Sequence, residues 1–191
     1  MKDMIMETGI QLFGEKGFKE TSIQDLMDEL KVTKGTFYYY YKSKEELLKD
    51  IHLQYINRLV QHQESIINDE SLNCEQKLYQ IIYSLIHDIK KEGLTAKVFF
   101  REMRHLSDEN LDVIVSKRDK FRLNIQSIVE EGIVADEFRS DLPADIVTFG
   151  ILGIANWSYF WFQPDGEKTD EQVSKIFHEI LVQGMNGPKN S

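Results

Sequence analysis

Residues 21–47 read TSIQDLMDELKVTKGTFYYYYKSKEEL. Ile23, Leu26, Met27 and Leu30 recur at i, i+3, i+4 and i+7, the apolar stripe of an amphipathic helix. Ser22 stands where an N-cap belongs. Thr33 opens a second helix over 34–40, and Ser43 with Glu46 three residues on reads as a capping box for a third. Two short helices joined by a tight turn, the second crowded with tyrosines, are the sequence form of a helix-turn-helix DNA reader.

Such a reader anchors one side of its second helix and shows the other. Phe37 and Tyr41 are four apart and both face inward, so Tyr38, Tyr39 and Tyr40 sweep the outer faces. A helix with aromatics at four successive positions cannot bury them all. Each tyrosine joins a flat apolar ring, which packs on a thymine methyl or a sugar, to a hydroxyl that reaches a phosphate. Lys34 is the best candidate for a base-edge or phosphate contact, Lys44 for a phosphate, and Gln24 for a contact from the preceding helix. Gly35 lets the backbone come close to DNA.

Working outward, Ile5, Leu12 and Phe13 mark a helix over 4–15 that ends at Gly17. A long helix from the Ser43 cap to about residue 67 carries Leu47, Leu48, Ile51, Tyr55 and Leu59. Further helices are expected at 74–91, 95–105, 108–133, 143–162 and 169–186. Gly93, Gly132, the Pro164-Asp165-Gly166 turn and Gly187-Pro188 punctuate them, Pro143 fits a first turn, Thr169 with Gln172 forms another capping box, and a polar tail begins at Asn186. No stretch alternates as a strand would. The fold class is all-α with about nine helices: a three-helix helix-turn-helix DNA-binding domain at 1–46, and a helical ligand-binding and dimerisation domain at 47–191.

The chain has 191 residues, 41% of them hydrophobic, and a net charge of -9. Residues 1–50 hold 8 Lys/Arg against 10 Asp/Glu, net -2, so charge balance lends DNA binding no support. Placement does, because Lys31, Lys34, Lys42 and Lys44 cluster about the second reader helix. Cys74 is the single cysteine, which points to a cytoplasmic protein, and MKDMIMETGI lacks a signal-peptide core. His52, His62, His87, His105 and His178 are scattered, and no HExxH, GxSxG, P-loop or dinucleotide glycine motif occurs. No catalytic residue, metal site or cofactor is therefore expected.

Ile146–Phe162, IVTFGILGIANWSYFWF, is 17 residues without a charge. It is short for a membrane span and holds Asn156 and Ser158, so a helix buried on most sides, at a subunit interface and a pocket wall, is expected. Gly150 and Gly153 share one face, where a partner helix can approach closely.

Val32-Thr33-Lys34-Gly35-Thr36-Phe37-Tyr38, then Tyr41-Lys42-Ser43-Lys44-Glu45-Glu46-Leu47, with Phe13-x-x-x-Gly17-Phe18 upstream, resembles the DNA-binding head of the tetracycline-repressor (TetR) family across about residues 5 to 48. The resemblance implies that Thr33, Lys34, Gly35, Thr36, Tyr38, Tyr39, Tyr40 and Lys44 meet double-stranded operator DNA, and Ser22 and Gln24 join them as candidate contacts at the start of the preceding helix. The chain departs from the family in three places. Leu30-Lys31 replaces the usual Ala-Gly, so that Lys31 must make the turn without glycine at a cost of ~1 kcal/mol. Tyr41 replaces the usual Phe, and Lys2 is nearly all that remains of a basic arm.

The resemblance also implies a homodimer formed by the last two helices, with Gly150, Gly153, Trp161, Ile176 and Ile180 at the interface, and an effector pocket in the middle helices. The pattern Gly153-x-x-Asn156-Trp157-x-Tyr159-x-Trp161-Phe162-x-Pro164-Asp165-Gly166 is similar to relatives that repress fatty-acid, phenylacetate or sterol-ring breakdown and answer to acyl-CoA thioesters. Phe99, Phe100, Met103, Asn156, Trp157 and Phe160 would line such a pocket. Arg101 and Arg104 would hold the CoA phosphates; the Lys117-Arg118-x-Lys120-x-Arg122 run reads better as a solvated face. The implied function is a repressor released from its operator by a bulky hydrophobic effector, an acyl-CoA thioester; the alternative is a drug-sensing repressor of an efflux gene.

Overall fold

Nine α-helices and one 3-10 turn make up the described residues, 1–185, of the computed structural model: α1 Lys2–Lys16, α2 Ile23–Leu30, α3 Lys34–Tyr40, α4 Lys44–Ile67, α5 Cys74–His87, α6 Ile89–Glu102, the 3-10 turn Met103–His105, α7 Asp108–Val134, α8 Ala144–Trp161 and α9 Asp170–Met185. The fold is all-α, with no strand among the described residues. The expected polar tail from Asn186, the Gly187-Pro188 break and the last residue of the expected 169–186 helix lie outside them.

Local chemistry sets the helix ends. Gly17 closes α1 at φ 97°, a conformation open to glycine. Ser22 and Asp25 form a reciprocal capping box on α2, Asn73 and Gln76 one on α5, and Thr169 and Gln172 one on α9. At Ser43 the hydroxyl accepts from the Glu46 amide, while the Glu46 carboxylate reaches back one residue further, to the Lys42 amide. Lys31 ends α2 in the left-handed region, φ 56° and ψ 40°, and its amide and that of Val32 return to the Asp28 and Met27 carbonyls.

Two expected breaks fall elsewhere. Gly93 lies inside α6, and the chain breaks at Asp88, between α5 and α6. Asp88 keeps helical dihedrals, φ -66° and ψ -16°, so this is a one-residue tightening that no breaker residue announces. Gly132 also stays helical. Its role is contact: a Cβ there would meet the Phe138 ring at 2.3 Å, because the chain folds back after Asp136, φ 58°. Pro143 is the N-cap of α8, one residue before the first turn.

The residues group into two compact units. One comprises Met1–Arg58 and Glu92–Lys117. Its core holds Ile5, Phe13, Leu26, Met27, Phe37, Tyr41, Leu47, Leu48 and Ile51, with Phe99 against His52 and Tyr55 at ring distances of 5.2 and 4.9 Å. The other comprises Leu59–Lys91 and the described residues from Arg118 onward. There α5 packs against α8 and α9 through Leu78, Ile81, Ile82, Ile151, Ala155 and Val173. Glu137 caps α5 in this unit, its carboxylate accepting from the Cys74 and Glu75 amides. Burial and the adjacent Glu137 push the Cys74 thiol up, which makes it unreactive.

Candidate functional site

The short helix α3 is held from behind and bare in front. Phe37 and Tyr41 are fully buried, which pins one side against the core. Tyr39 is 81% exposed and Tyr38 55%, with Thr33, Lys34 and Gly35 also exposed and Thr36 and Tyr40 half-buried. Tyr39 and Tyr40 touch edge to face at 4.8 Å, so each ring limits the other's rotamers. A face of this kind offers flat rings, hydroxyl tips and one cation to a groove.

Three of the expected contact residues have local work. The Ser22 hydroxyl is part of the α2 cap, accepting from the Asp25 amide at 3.1 Å and donating to its carboxylate at 2.6 Å. That carboxylate is held below its ordinary range by the Ser22 hydroxyl and amide. Gln24 donates to Asp28 at 2.6 Å. Lys44 departs most from the solvated cation the sequence suggests. Its ammonium donates to the Phe18 and Thr21 carbonyls at 2.5 Å each and sits 4.3 Å from the Phe18 ring centroid. Burial lowers its pKa. It ties the start of α4 to the loop that precedes α2, with one N–H left for a phosphate. At the N-terminus Lys2 pairs with Asp50 at 2.9 Å.

The residues expected to line an effector pocket fall in both compact units. In the first, Phe99 is buried core, Phe100 and Met103 are half-buried, and Arg101 and Arg104 are exposed. Arg58 was not foreseen. It pairs with Glu92, whose carboxylate also accepts from Thr95, while its Nε and Nη2 are buried without a hydrogen-bond partner. Arg101 and Arg104 line a cleft of about 590 Å³ whose other walls are Phe13–Glu20, Lys97, Glu102 and His105. Lys16, Lys19 and Lys97 were missed because they lie some 80 positions apart, and only the local Lys-Gly-Phe-Lys run hints at them.

In the second unit, α8 is two-sided. Thr148, Ile151, Ala155 and Ser158 are buried on one side. Ile146, Phe149, Gly150, Gly153, Trp157, Phe160 and Trp161 are exposed on the other. The charge-free helix is therefore not covered on most sides within one chain. Trp157 and Phe160, expected in a pocket, share the open face with the glycines and Trp161, while Asn156 is half-buried. A Cβ on Gly150 or Gly153 would meet nothing within 4 Å. Ile176 and Ile180 of α9 are exposed as well. No helix among the described residues is long and apolar enough to cross a membrane.

Comparison with known proteins agrees with this anatomy. Residues 5–51 match the family model described as bacterial regulatory proteins, tetR family, and residues 71–185 match the tetracyclin repressor-like C-terminal domain. The HTH-type transcriptional repressor KstR2 of Mycolicibacterium smegmatis is 24% identical over 96% of this chain and 90% of its own length. Among solved structures, the TetR-family regulator PfmR of Thermus thermophilus superposes with a TM-score of 0.87 at 27% identity, covering 96% of this chain and 99% of that one. AibR, solved in complex with isovaleryl coenzyme A and operator DNA, superposes at 0.86 with 23% identity, covering 95% and 97%.

Proposed function

The chain belongs to the TetR family of transcriptional regulators, and from that premise we propose that it is a homodimeric repressor released from its operator by an acyl-CoA thioester. It is a DNA-binding regulator, not an enzyme. Residues 1–46 read DNA and residues 47–191 bind the effector and a second copy of the chain.

The observation that carries the DNA-reading part is the outward face of α3, with Tyr38 and Tyr39 standing clear of the protein beside Lys34 and Gly35. Thr33, Thr36 and Tyr40 join them at the groove. Ser22 and Gln24 approach from α2, and Lys44 offers its remaining N–H to a phosphate. In the dimer, the open face of α8 meets its symmetry mate across Gly150 and Gly153, and Trp157, Phe160, Trp161, Ile176 and Ile180 are buried there. The effector's acyl part lies by Phe99, Phe100 and Met103, with its phosphates at Arg101 and Arg104. The isovaleryl coenzyme A held by AibR supports this class of ligand for a protein of this fold. Release requires that the effector bind the non-DNA-binding conformation more tightly, since a ligand with equal affinity for both shifts nothing.

A thermal-shift screen tests the effector directly: acyl-CoAs of graded chain length, with free fatty acids, CoA and cationic dyes as controls. A ligand that binds only the folded state raises the melting temperature with its concentration over Kd. The expected result is a rise for one class of thioester, absent with CoA alone, together with loss of operator binding. A flat thioester series with shifts from dyes selects a drug-sensing repressor. Tight thioester binding that leaves DNA affinity unchanged overturns the release mechanism.

A further inference from the structure

We propose that the cleft beside the α1–α2 turn is a binding site for a phosphorylated nucleoside, the group at the far end of a CoA thioester. The inference rests on the acyl-CoA reading for the source of that group, but the site itself is argued from its walls. All of them belong to one compact unit. From α1 and the following turn come Phe13, Lys16, Phe18 and Lys19; from α6 and the 3-10 turn come Lys97, Arg101, Arg104 and His105.

Two properties fit a nucleotide. The first is charge. The walls carry five permanent cations, Lys16, Lys19, Lys97, Arg101 and Arg104, against three carboxylates, Glu15, Glu20 and Glu102, an excess of two in a chain whose net charge is -9. Glu102, one of the three, is buried in the cleft wall 3.3 Å from His105 Nε2. Arginines answer phosphate with a bidentate fork, lysines with a point charge. The second is flatness. His105 stacks on Phe18 at 5.4 Å with planes 18° apart, while Phe13 is buried behind Phe18 and Lys44 Nζ lies 4.3 Å from the Phe18 centroid, so the His105–Phe18 stack is the flat surface in the cleft wall. A ring stack under a rim of cations accepts a base and its phosphates together. A simple anion site would need only the rim.

The position ties the ligand to the reader. Lys16 and Lys19 flank Gly17 at the turn into α2, and Lys97, Arg101 and Arg104 stand on the effector-binding elements. A nucleotide bridging the two sets fixes the turn that precedes α2. This converts occupancy into reader geometry without passing through the acyl pocket. The energy available for release is the difference in nucleotide affinity between the two reader positions.

Isothermal titration of the full chain with adenosine 3′,5′-bisphosphate, ATP, dephospho-CoA and the active acyl-CoA tests the site. The comparison protein is Lys19→Glu/Lys97→Glu, with Lys19→Ala/Lys97→Ala as a milder pair should the first fail to fold. Saturable binding of the bisphosphate, weakened at least about tenfold by the double variant with operator affinity kept, is expected. Binding of the bisphosphate without any response to acyl-CoA keeps the site and removes CoA as the source of its ligand. Acyl-CoA affinity identical in wild type and variant, with no bisphosphate binding, overturns the site and leaves the acyl-CoA reading standing. Loss of operator binding with nucleotide affinity unchanged also overturns it, because the cleft then serves the DNA backbone.

Discussion

Helices α3 and α8 both put aromatic rings at the surface, in opposite chemical settings. On α3 the exposed rings are tyrosines, tipped with hydroxyls and set among Lys31, Lys34 and Lys42. On α8 they are Trp157, Phe149, Phe160 and Trp161, inside a 17-residue run without a charge. Water tolerates the first kind, because each ring keeps a hydrogen-bonding end and breaks the apolar surface into pieces. The second is a contiguous apolar face, which monomers rarely leave open. Exposure alone does not tell a groove reader from an assembly surface; the polarity of the ring tips and the charge between rings do.

The sharpest way to break this contrast is to charge the bare face. Trp157→Glu is expected to weaken self-association by about 100-fold, in the range of a central aromatic anchor, read by sedimentation at graded concentration. Its helix content should stay unchanged, because Trp157 is 61% exposed in a single chain. An unchanged association constant would remove α8 from the interface.

Next in size is Tyr39. Tyr39→Ala is expected to lower operator affinity about tenfold with no change in melting temperature or oligomeric state, measured by fluorescence anisotropy. Tyr39→Phe sharpens the comparison further by giving α3 one ring of the α8 kind. If the hydroxyl reaches phosphate, the Phe variant loses most of what the Ala variant loses. If only the ring matters, it binds as wild type.

A smaller effect is expected at the turn into α3. Lys31→Gly relieves a left-handed backbone at a residue with a Cβ and should stabilise the reader by about 0.5–1 kcal/mol, seen in denaturant unfolding. A loss of stability would mean that the lysine side chain supports the turn.

The smallest expected difference between the two regions is in acid. Asp25 in the reader and Asp170 in the body are both held below the ordinary carboxylate range, the first by Ser22, the second chiefly by its hydrogen bond to His87. Groups depressed on folding contribute stability above the unfolded value of about 3.9 and lose it as pH falls through the folded one. Both regions should therefore hold from neutrality to about pH 4 and weaken together below it. Near- and far-ultraviolet circular dichroism during acid titration checks this; loss of either region well above pH 4 contradicts it.

Much of the reader was legible because its signals are local. The bounds 34–40 and 44–67 follow from Thr33, Ser43 and the periodicity between them, and the structure has α3 and α4 there. The inward pair Phe37 and Tyr41 follows from spacing alone. What needed the fold is long-range. Nothing near Lys44 announces carbonyls 23 and 26 residues earlier. Asp88 breaks the chain without a glycine or proline, while Gly93 and Gly132, the obvious breakers, sit within helices. The cationic cleft is assembled from two stretches that periodicity treats separately. The exposed face of α8 was visible as a charge-free run, but a run of letters does not say which side of a helix is covered.

Lys44 has a further use as a reporter. Acylating reagents attack the free amine, and this one is engaged by two carbonyls under the Phe18 ring. It becomes reactive only when the loop before α2 lifts away. Lys34, ten positions earlier and exposed, reacts at the unprotected rate and serves as the internal standard. The ratio of the two labelling rates, followed by peptide mass, counts openings of the reader without any engineered probe. A nucleotide that clamps the α1–α2 turn would slow the first label and leave the second untouched.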